Sequence, residues 1–262
     1  MPNIHPSALV HPTASLASEV TVGPFAIIEE HAVIGQGSRI EPHAQILART
    51  VIGENCTIGR AAIIGGDPQS VAFNIALPSN VVLGNNNRIR EHVTIHRSMH
   101  EGKSTLVGND NFLMVGSHIG HDVVVGNHNI FANHVLLAGH VEVGNHCFFG
   151  GASVFHQFIR VGDHAMTQGT SGFSMDLPPY VIGAGANEVA GINVVGLKRA
   201  GFDSTARLEI KRAFDLIYRS GKNLTQATAA AREQSWTAAG EKFIAFVESR
   251  GKKGIVPLGK SA

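Results

Sequence analysis

The chain has 262 residues, of which 44% are hydrophobic, and its formal net charge at pH 7 is +1. This length and apolar content suffice for a large domain with its own core, whereas the balanced charge excludes a general nucleic-acid binder, which needs a strongly basic surface. No apolar run reaches the roughly 18 residues that a membrane helix requires, and the first residues lack the basic and apolar segments of a signal peptide. We therefore expect a cytoplasmic protein without a transmembrane segment.

An aliphatic or aromatic residue recurs at every sixth position from the start of the chain. The members of this first run are Ile4, Val10, Leu16, Val22, Ile28, Ile34, Ile40, Ile46, Ile52, Ile58 and Ile64. Neither the helical period of about 3.6 residues nor the strand period of about 2 produces this spacing. It is typical of hexapeptide repeats, in which three short sides make one coil of a parallel β-helix. Gly, Asn and Asp between these positions suit the corners, because they tolerate left-handed backbone.

The six-residue pattern is interrupted twice. It stops over residues 65–80, resumes at Leu83, Ile89 and Ile95, and stops again over residues 97–105. We expect both segments to be loops outside the solenoid on a binding face, because insertions in solenoids commonly gather on one face. A second run follows, formed by Val107, Leu113, Ile119, Val125, Phe131, Leu137, Val143, Phe149, Phe155 and Val161. A last irregular coil is expected to end near Gly196.

The period of the apolar residues changes after this last coil. Apolar spacing and capping residues predict helices over residues 204–220, 224–234 and 237–250. The prediction is therefore a mainly β protein, with a β-helix domain over residues 1–196 and a C-terminal α-helical domain over residues 197–262. Basic side chains gather in the first part of the helical domain, where they could form either a solvated helix face or a surface for an acidic partner.

The two cysteines, Cys56 and Cys147, each lie four residues after a repeat position, where a small side chain should point into the core. We therefore expect both thiols to be reduced and buried, without a disulfide. No Gly-x-Ser-x-Gly motif occurs in the chain. The sequence thus indicates no activated Ser or Cys nucleophile.

One corner of the predicted solenoid gathers residues suited to catalysis. Residues one coil apart, about 18 positions, should lie about 4.8 Å apart, like neighbouring strands. His121 then lies beneath Gly139, with Gln157 one coil further, and Asp122 lies beneath His140. A neutral imidazole can take a proton from a hydroxyl near neutral pH. The Asp122 carboxylate could fix its tautomer if a corner turns the two side chains together, and the Gly139 N–H could stabilise an oxyanion. These parts predict direct acyl transfer.

The other histidines of this region are spaced by six residues. His128, His134, His140 and His146 therefore occupy three different sides, and only His128, His146 and His164 share a column. We expect corner packing and no metal site. A Zn²⁺ site of the γ-class carbonic anhydrase type, also built on a left-handed β-helix, is the rival interpretation. A non-catalytic ice-binding solenoid is disfavoured, because no face carries rows of Thr.

Several segments together carry a family resemblance. They are His118-Ile-Gly-His121-Asp122, Leu136-Leu-Ala-Gly139-His140, His156-Gln157-Phe158, Ile95-His96-Arg97, Pro178-Pro179-Tyr180-Val181-Ile182 and Asn193-Val-Val-Gly196-Leu197-Lys198-Arg199. Over almost the whole chain, these motifs resemble the acyl-carrier-protein:UDP-N-acetylglucosamine O-acyltransferases of lipid A biosynthesis. The resemblance implies a left-handed parallel β-helix, an exception to the right-handed crossover rule, assembled as a homotrimer with active sites between subunits.

The resemblance also implies the reaction. A fatty acyl group of the 3-hydroxyacyl type would pass from acyl carrier protein to the 3-position of a UDP-N-acetylglucosamine-type sugar nucleotide, as the first step of lipid A biosynthesis. No metal and no other cofactor is implied. A related hexapeptide acyltransferase with a different acyl donor or an amino-sugar acceptor is the main alternative.

The same resemblance implies roles for individual residues. His121 would be the general base, Asp122 its support, and the Gly139 N–H the oxyanion donor. The implied substrate contacts are His96, His118, His140, His156, Gln157, Gly169, Asn193 and Arg199. Among them, Gly169 would leave room for the acyl chain and Arg199 would lie near the nucleotide phosphates. The implied docking surface for the acidic carrier protein consists of Lys198, Arg207, Lys211, Arg212 and Arg219.

The chain departs from the family pattern in its first loop, where Gln69-Ser70-Val71-Ala72 stands in place of Gln-Asp-Leu-Lys. Two charged substrate contacts are thereby absent. Val195 and Ala200 likewise stand where charged residues are usual. Because a charged hydrogen-bond partner contributes strongly to discrimination, these departures predict altered selectivity for the acyl donor or the sugar.

Overall fold

The computed structural model describes residues 1–259 as a three-sided β-solenoid followed by helices. Most strands contain two residues, as expected for a chain that turns a corner every six positions. In chain order they are β1 (Asn3–Ile4), β2 (Leu9–Val10), β3 (Ser15–Leu16), β4 (Thr21–Val22), β5 (Ile27–Ile28), β6 (Val33–Ile34), β7 (Arg39–Ile40), β8 (Gln45–Ile46), β9 (Val51–Ile52), β10 (Thr57–Ile58), β11 (Ile63–Gly66), β12 (Asn80–Leu83), β13 (Arg88–Ile89), β14 (Thr94–His96), β15 (Ser104–Val107), β16 (Phe112–Leu113), β17 (His118–Ile119), β18 (Val124–Val125), β19 (Ile130–Phe131), β20 (Leu136–Leu137), β21 (Glu142–Val143), β22 (Phe148–Phe149), β23 (Val154–Phe155), β24 (Arg160–Val161), β25 (Met166–Thr167), β26 (Gly172–Phe173), β27 (Val181–Ala184) and β28 (Glu188–Ile192). The hexapeptide β-helix predicted from the sequence is confirmed.

The strands form three sheets of eleven, nine and eight strands, one on each side of the solenoid. Pairing is parallel, except that β27 and β28 form an antiparallel hairpin. Each strand pairs with the strands one coil before and after it, so that Ile130 stands opposite Phe148. Where the first loop leaves the solenoid, paired residues lie further apart in the sequence, and Thr57 pairs with Arg88. Both loops therefore leave the coil without interrupting the sheets, as predicted.

The corners of the solenoid use left-handed backbone at residues other than glycine. Asn55, Asp122 and His128, for example, have φ values of +54°, +59° and +59°. Asn, Asp and His are enriched in this region of backbone conformation. The recurrence of histidines follows from this preference, since the same conformation occurs at His134, His140, His146 and His164.

The predicted histidine column is present and consists of stacked rings. The rings of His128 and His146 have centroids 4.7 Å apart, and those of His146 and His164 are 4.8 Å apart. They lie nearly parallel, and none belongs to a group of possible metal ligands within residues 1–259. Corner packing therefore explains the column, which does not form the three-histidine site of the rival class within one chain.

The repeat positions point inward and form a continuous core. Ile28 and Phe131 are at most 1% exposed, whereas Ile4 is 40% exposed because the first coil has no coil beneath it. Cys56 and Cys147 are both free and buried. The prediction that both cysteines lie in the core is confirmed.

A file of buried asparagines connects successive coils inside the solenoid. The Nδ2 atom of Asn111 donates to Asn87 Oδ1 at 3.1 Å, and Asn129 Nδ2 donates to Asn111 Oδ1 at 3.0 Å. Each Oδ1 also accepts a backbone N–H from the next coil, the last being that of Cys147 at 2.8 Å. These bonds satisfy buried polar groups that would otherwise remain unpaired, and they hold the middle coils in register.

Four helices follow the hairpin. They are α1 (Val194–Arg199), α2 (Ser204–Tyr218), α3 (Leu224–Arg232) and α4 (Ala238–Glu248), and the last three match the predicted helices to within two residues at each end. The side chains of Asp203 and Asn223 cap α2 and α3 by accepting backbone N–H groups, which stabilises the helix starts. No helix within residues 1–259 has the length and apolarity needed to span a bilayer.

The helices are tied to the last coils of the solenoid. After α4 the chain returns, and Ile255 forms a bridge with Asp176. Arg160 of the solenoid lies 4.4 Å from the centroid of the Phe246 ring in α4. The helix α1 begins at Val194, before the predicted boundary at residue 196. The division into two domains stays a prediction, and contacts cross it.

Candidate active site

His121 and Asp122 form a hydrogen-bonded pair at one corner, with His121 Nδ1 2.8 Å from Asp122 Oδ2. Consecutive strand residues point to opposite faces, but the left-handed backbone of Asp122, with φ at +59°, turns its side chain toward His121. Because an ionised carboxylate only accepts hydrogen bonds, Nδ1 carries the proton and Nε2 keeps a lone pair. His121 can therefore act as a base through Nε2.

Three donors hold the Asp122 carboxylate. The Ser98 hydroxyl donates to Oδ1, and Oδ2 accepts the Met99 N–H at 3.1 Å in addition to His121. Burial raises the pKa of this carboxyl, but the hydrogen bonds from Ser98, His121 and Met99 outweigh burial and lower the pKa below its usual value. Asp122 is thus ionised at neutral pH and can support a positive charge on His121.

Gly139 lies directly above His121, where the one-coil spacing predicts it. A Cβ atom built on Gly139 would come within 2.6 Å of His121 Nε2, closer than real Cβ atoms approach their neighbours. Only glycine therefore allows the imidazole to occupy this place. No residue in the described part of the chain accepts a hydrogen bond from the Gly139 N–H. This donor is available to an oxyanion formed beside the base.

His96 and His118 lie beside the catalytic pair. Their rings meet edge to face with centroids 4.6 Å apart, and Thr94 Oγ1 lies 2.8 Å from His118 Nδ1. Burial lowers the pKa of His118. Burial, reinforced by the repulsion that protonated His118 and His121 rings would exert, lowers the pKa of His96 to about 4. Both rings are therefore neutral near pH 7 and offer hydrogen-bonding nitrogens without adding positive charge beside the base.

A groove of about 720 Å³ runs along this side of the solenoid. Its lining brings together six of the predicted site residues, which are His96, His118, His121, Gly139, His156 and Gln157. The other walls are largely apolar and include Leu136, Val154, Phe155 and Phe173. A lining that combines these polar side chains with a largely apolar surface suits a substrate that has an acyl chain and a polar head.

Two further predicted substrate contacts do not line the groove of their own chain. His140 Nε2 lies 3.9 Å from Asp122 Oδ2, and the His140 ring stacks on Phe158 at 4.4 Å. Gly169 lies over the next corner, where an added Cβ would stand 3.1 Å from the Gly151 carbonyl oxygen. His140 therefore contacts the catalytic carboxylate, while Gly169 is remote from the base within one chain.

Asn193 and Arg199, predicted to contact substrate, also lie outside this groove. The Asn193 side chain accepts the Gly196 N–H at 3.0 Å and donates to the His164 carbonyl oxygen at 3.0 Å, so it caps α1. Arg199 is the exposed last residue of that helix. Within one chain the structure does not bring either residue to His121.

Most of the predicted docking cations make contacts inside the helical region. Lys211 and Arg219 both pair with Asp215, at 2.6 and 3.1 Å. Arg212 lies over the Trp236 ring at 4.1 Å. Of the other two, the Arg207 guanidinium donates to a backbone carbonyl, and Lys198 is exposed. The docking role of these five cations stays a prediction, and the Asp215 carboxylate offsets part of their positive charge.

Three residues near the site were not found from the sequence. Ser98 and His100 belong to the second loop, where counting by coils does not apply. Lys253 lies in the segment after α4, yet its Nζ atom is 2.8 Å from His156 Nδ1 and 2.8 Å from the Gln157 carbonyl oxygen. No periodic signal marks any of the three, because each depends on how a non-repeating segment packs against the solenoid.

Comparison with known protein families matches most of the chain in three parts. Residues 176–256 match a model described as UDP N-acetylglucosamine O-acyltransferase, domain 2. Residues 104–139 match bacterial transferase hexapeptide (six repeats), and residues 4–99 match a model described as GMPPB C-terminal domain. These matches agree with the observed solenoid and its helical extension.

Whole proteins show the same likeness. The chain is 41% identical over 229 residues to the acyl-[acyl-carrier-protein]–UDP-N-acetylglucosamine O-acyltransferase of Thermodesulfovibrio yellowstonii, which covers 87% of this chain and 88% of that protein. The solved structure of the UDP-N-acetylglucosamine acyltransferase of Francisella novicida is 35% identical in sequence. The match covers 98% of this chain and 95% of that chain, with a TM-score of 0.92. The corresponding structure from Bacteroides fragilis is 36% identical in sequence, and the match covers 96% of this chain and 99% of that chain with a TM-score of 0.91. This chain therefore belongs to the acyl-[acyl-carrier-protein]–UDP-N-acetylglucosamine O-acyltransferase family.

Proposed function

We propose that this protein transfers a fatty acyl group from acyl carrier protein to the 3-position of the sugar of UDP-N-acetylglucosamine, as the first step of lipid A biosynthesis. The observation that carries the proposal is the pair of His121 and Asp122 beneath Gly139, with 2.8 Å between Nδ1 and the carboxylate. A base and an oxyanion donor thus stand together in a groove whose lining is largely apolar.

In the proposed reaction, His121 Nε2 takes the proton of the sugar hydroxyl while its oxygen attacks the thioester carbonyl carbon. The carbonyl oxygen becomes an oxyanion, which the Gly139 N–H stabilises. The tetrahedral intermediate then expels the thiolate of the carrier, and the proton held on His121 passes to that sulfur. Asp122 stabilises the imidazolium between these two proton transfers.

A covalent acyl-enzyme is not part of this proposal. Cys147 is 1% exposed, and its thiol lies 3.2 Å from the Gly162 carbonyl oxygen in the core. Burial raises the pKa of the Cys147 thiol and of the Cys56 thiol, so neither forms the thiolate that nucleophilic catalysis needs. Direct attack by the sugar hydroxyl remains as the route.

We also propose that the active unit is a homotrimer with grooves shared between subunits. In one chain the groove is open to solvent, since Leu136 and Val154 are 42% and 44% exposed. Gly169, Asn193 and Arg199 lie outside the groove of their own chain, and a second solenoid packed against this side would supply such residues and close the walls. Light scattering should give a trimer, and a monomer at working concentration would contradict the idea.

The partner and location follow from the same proposal. Acyl carrier protein is acidic, and the exposed cations Lys198, Lys211, Arg212 and Arg219 offer it a complementary surface near α1 and α2. Since a carrier protein and a nucleotide sugar are both water-soluble, we propose that the reaction takes place in the cytoplasm.

Mass spectrometry of the products tests the function directly. The protein would be incubated with a panel of acyl carrier protein thioesters and UDP-sugars, and an acylated UDP-N-acetylglucosamine is expected. His121→Ala should lower the rate about 10²-fold or more, in line with loss of a general base. His128→Ala is the matched control, because His128 also lies near a carboxylate, Asp110 at 3.9 Å, but outside the groove. No product from any pair, or full activity of His121→Ala, would overturn the proposal.

A further inference from the structure

The second loop brings His100 against the corner formed by Asp122 and His140. One possible ligand atom from each of the three side chains lies within 4.8 Å of the other two, and no other such group of three occurs within residues 1–259. His140 Nε2 is 3.9 Å from Asp122 Oδ2, and the rings of His100 and His140 have centroids 6.0 Å apart. Two imidazoles and one carboxylate therefore face a common point.

Contacts with the solenoid position these side chains. The His140 ring stacks on Phe158, with an interplanar angle of 10°. The loop that carries His100 is fastened to the same corner, since the Met99 N–H donates to Asp122 Oδ2 at 3.1 Å. The His100 side chain is exposed, so its ring is free of core packing.

We propose that His100, Asp122 and His140 bind a divalent transition metal ion, Zn²⁺ fitting best, and that the bound ion inhibits acyl transfer. Two histidines with one carboxylate form a known ligand set for Zn²⁺ and leave one position for water. Ligands at about 2.0–2.2 Å from Zn²⁺ stand roughly 3.3 Å apart in a tetrahedron. The 3.9 Å between Asp122 and His140 is already close to that separation.

Inhibition follows because Asp122 belongs both to the proposed metal site and to the catalytic pair with His121. The oxygen nearest His140, Oδ2, is the one that lies 2.8 Å from His121 Nδ1. A divalent cation bound to this oxygen neutralises the carboxylate and competes with His121 for it. The base then loses both its orientation and the support for its imidazolium. The inhibition rests on the proposed function, whereas the binding of the ion does not.

The test uses the full chain and the metal alone. Isothermal titration with ZnCl₂ should show one ion per chain, and Co²⁺ in its place should give the visible absorption of a low-symmetry site with nitrogen and oxygen ligands. Acyl transfer should be half inhibited at the Zn²⁺ concentration that half saturates the site, and it should return when EDTA is added. Absence of binding overturns the site, and binding without inhibition overturns the coupling through Asp122. If no acyl transfer occurs at all, the titration and the Co²⁺ spectrum still decide the site.

Two variants make the test specific. His100→Gln removes one ligand, so it should weaken binding at least about tenfold, since even outer partners of metal ligands are worth about 10- to 100-fold. Its acyl transfer without metal should be unchanged. His128→Gln removes a histidine 3.9 Å from a carboxylate, that of Asp110, where no third ligand lies nearby within the described residues. Equal inhibition of the unchanged protein and of His100→Gln, or lost inhibition in His128→Gln, would overturn the assignment.

Discussion

The ammonium group of Lys253 lies 2.8 Å from Nδ1 of His156, although 97 positions separate the two residues in the chain. An ammonium only donates hydrogen bonds, so Nδ1 accepts and the proton of the neutral ring lies on Nε2. The Gln157 carbonyl oxygen, 3.2 Å from the same nitrogen, takes its own hydrogen bond from Lys253 at 2.8 Å. The segment after α4 thus fixes the tautomer of a histidine that lines the groove.

Replacing Lys253 should weaken substrate binding more than it slows the chemical step. We expect Lys253→Met to raise KM about threefold to tenfold, the value of one hydrogen bond at an exposed position, with kcat little changed. Lys253→Arg keeps a donor-only side chain and should retain most of the affinity. Lys252→Met, one residue away, is the matched control. Steady-state kinetics with both substrates decide the matter, and equal effects of the Lys252 and Lys253 variants would refute a specific role.

Adding one methyl group at Gly139 should stop the reaction without unfolding the protein. The new Cβ would stand 2.6 Å from His121 Nε2, so the imidazole must leave the place where it takes the proton. We expect a fall in kcat of about 10²-fold or more, as for loss of the base. Gly251→Ala is the control, because nothing lies within 4 Å of a Cβ there. Normal activity in Gly139→Ala, with circular dichroism unchanged, would contradict the proposed geometry.

The first loop should discriminate poorly between hydroxylated and plain acyl donors. Ser70 stands where the family has a carboxylate, and the nearby alternatives are engaged, since Asp67 pairs with Arg97 at 2.8 Å and Asn74 accepts a backbone N–H at 3.0 Å. Ser70→Asp should therefore increase the preference for 3-hydroxyacyl thioesters by about 10- to 150-fold, the value of a hydrogen bond to a charged group. The measurement is kcat/KM for matched thioesters. A preference above about 100-fold that Ser70→Asp leaves unchanged would show that the missing carboxylate is irrelevant.

Acid should destabilise the fold partly through His96. Its pKa is lowered to about 4 in the folded state, whereas an unfolded histidine titrates near 6.5. The unfolded chain therefore binds more protons between these values, and the free energy of unfolding falls as the pH drops from about 6.5 to 4. This residue contributes at most roughly 3 kcal/mol to that fall. Urea unfolding at several pH values should show a shallower decline for His96→Gln, and an identical decline would refute the assignment.

The reach of sequence reasoning in this protein depends on the repeat. Counting by coils correctly placed His121 beneath Gly139, because strand spacing fixes every residue that stays in the solenoid. Counting could not place Ser98 or His100, whose positions depend on hydrogen bonds between a loop and Asp122. Asn193 illustrates another limit, since its side chain caps α1 in its own chain, and its role as a substrate contact stays a prediction.

We expect the asparagine file inside the solenoid to set the order in which the molecule opens. It joins the coils from Asn87 to Cys147, which include the coil of His121. Toward the beginning of the chain the same column continues without amide side chains, with Ser38 Oγ accepting the Cys56 N–H at 2.9 Å. The early coils can therefore fray without breaking the file. Amide hydrogen exchange should then spread from the first coils and reach the catalytic corner last, so that local unfolding at that end leaves the base and its carboxylate in place.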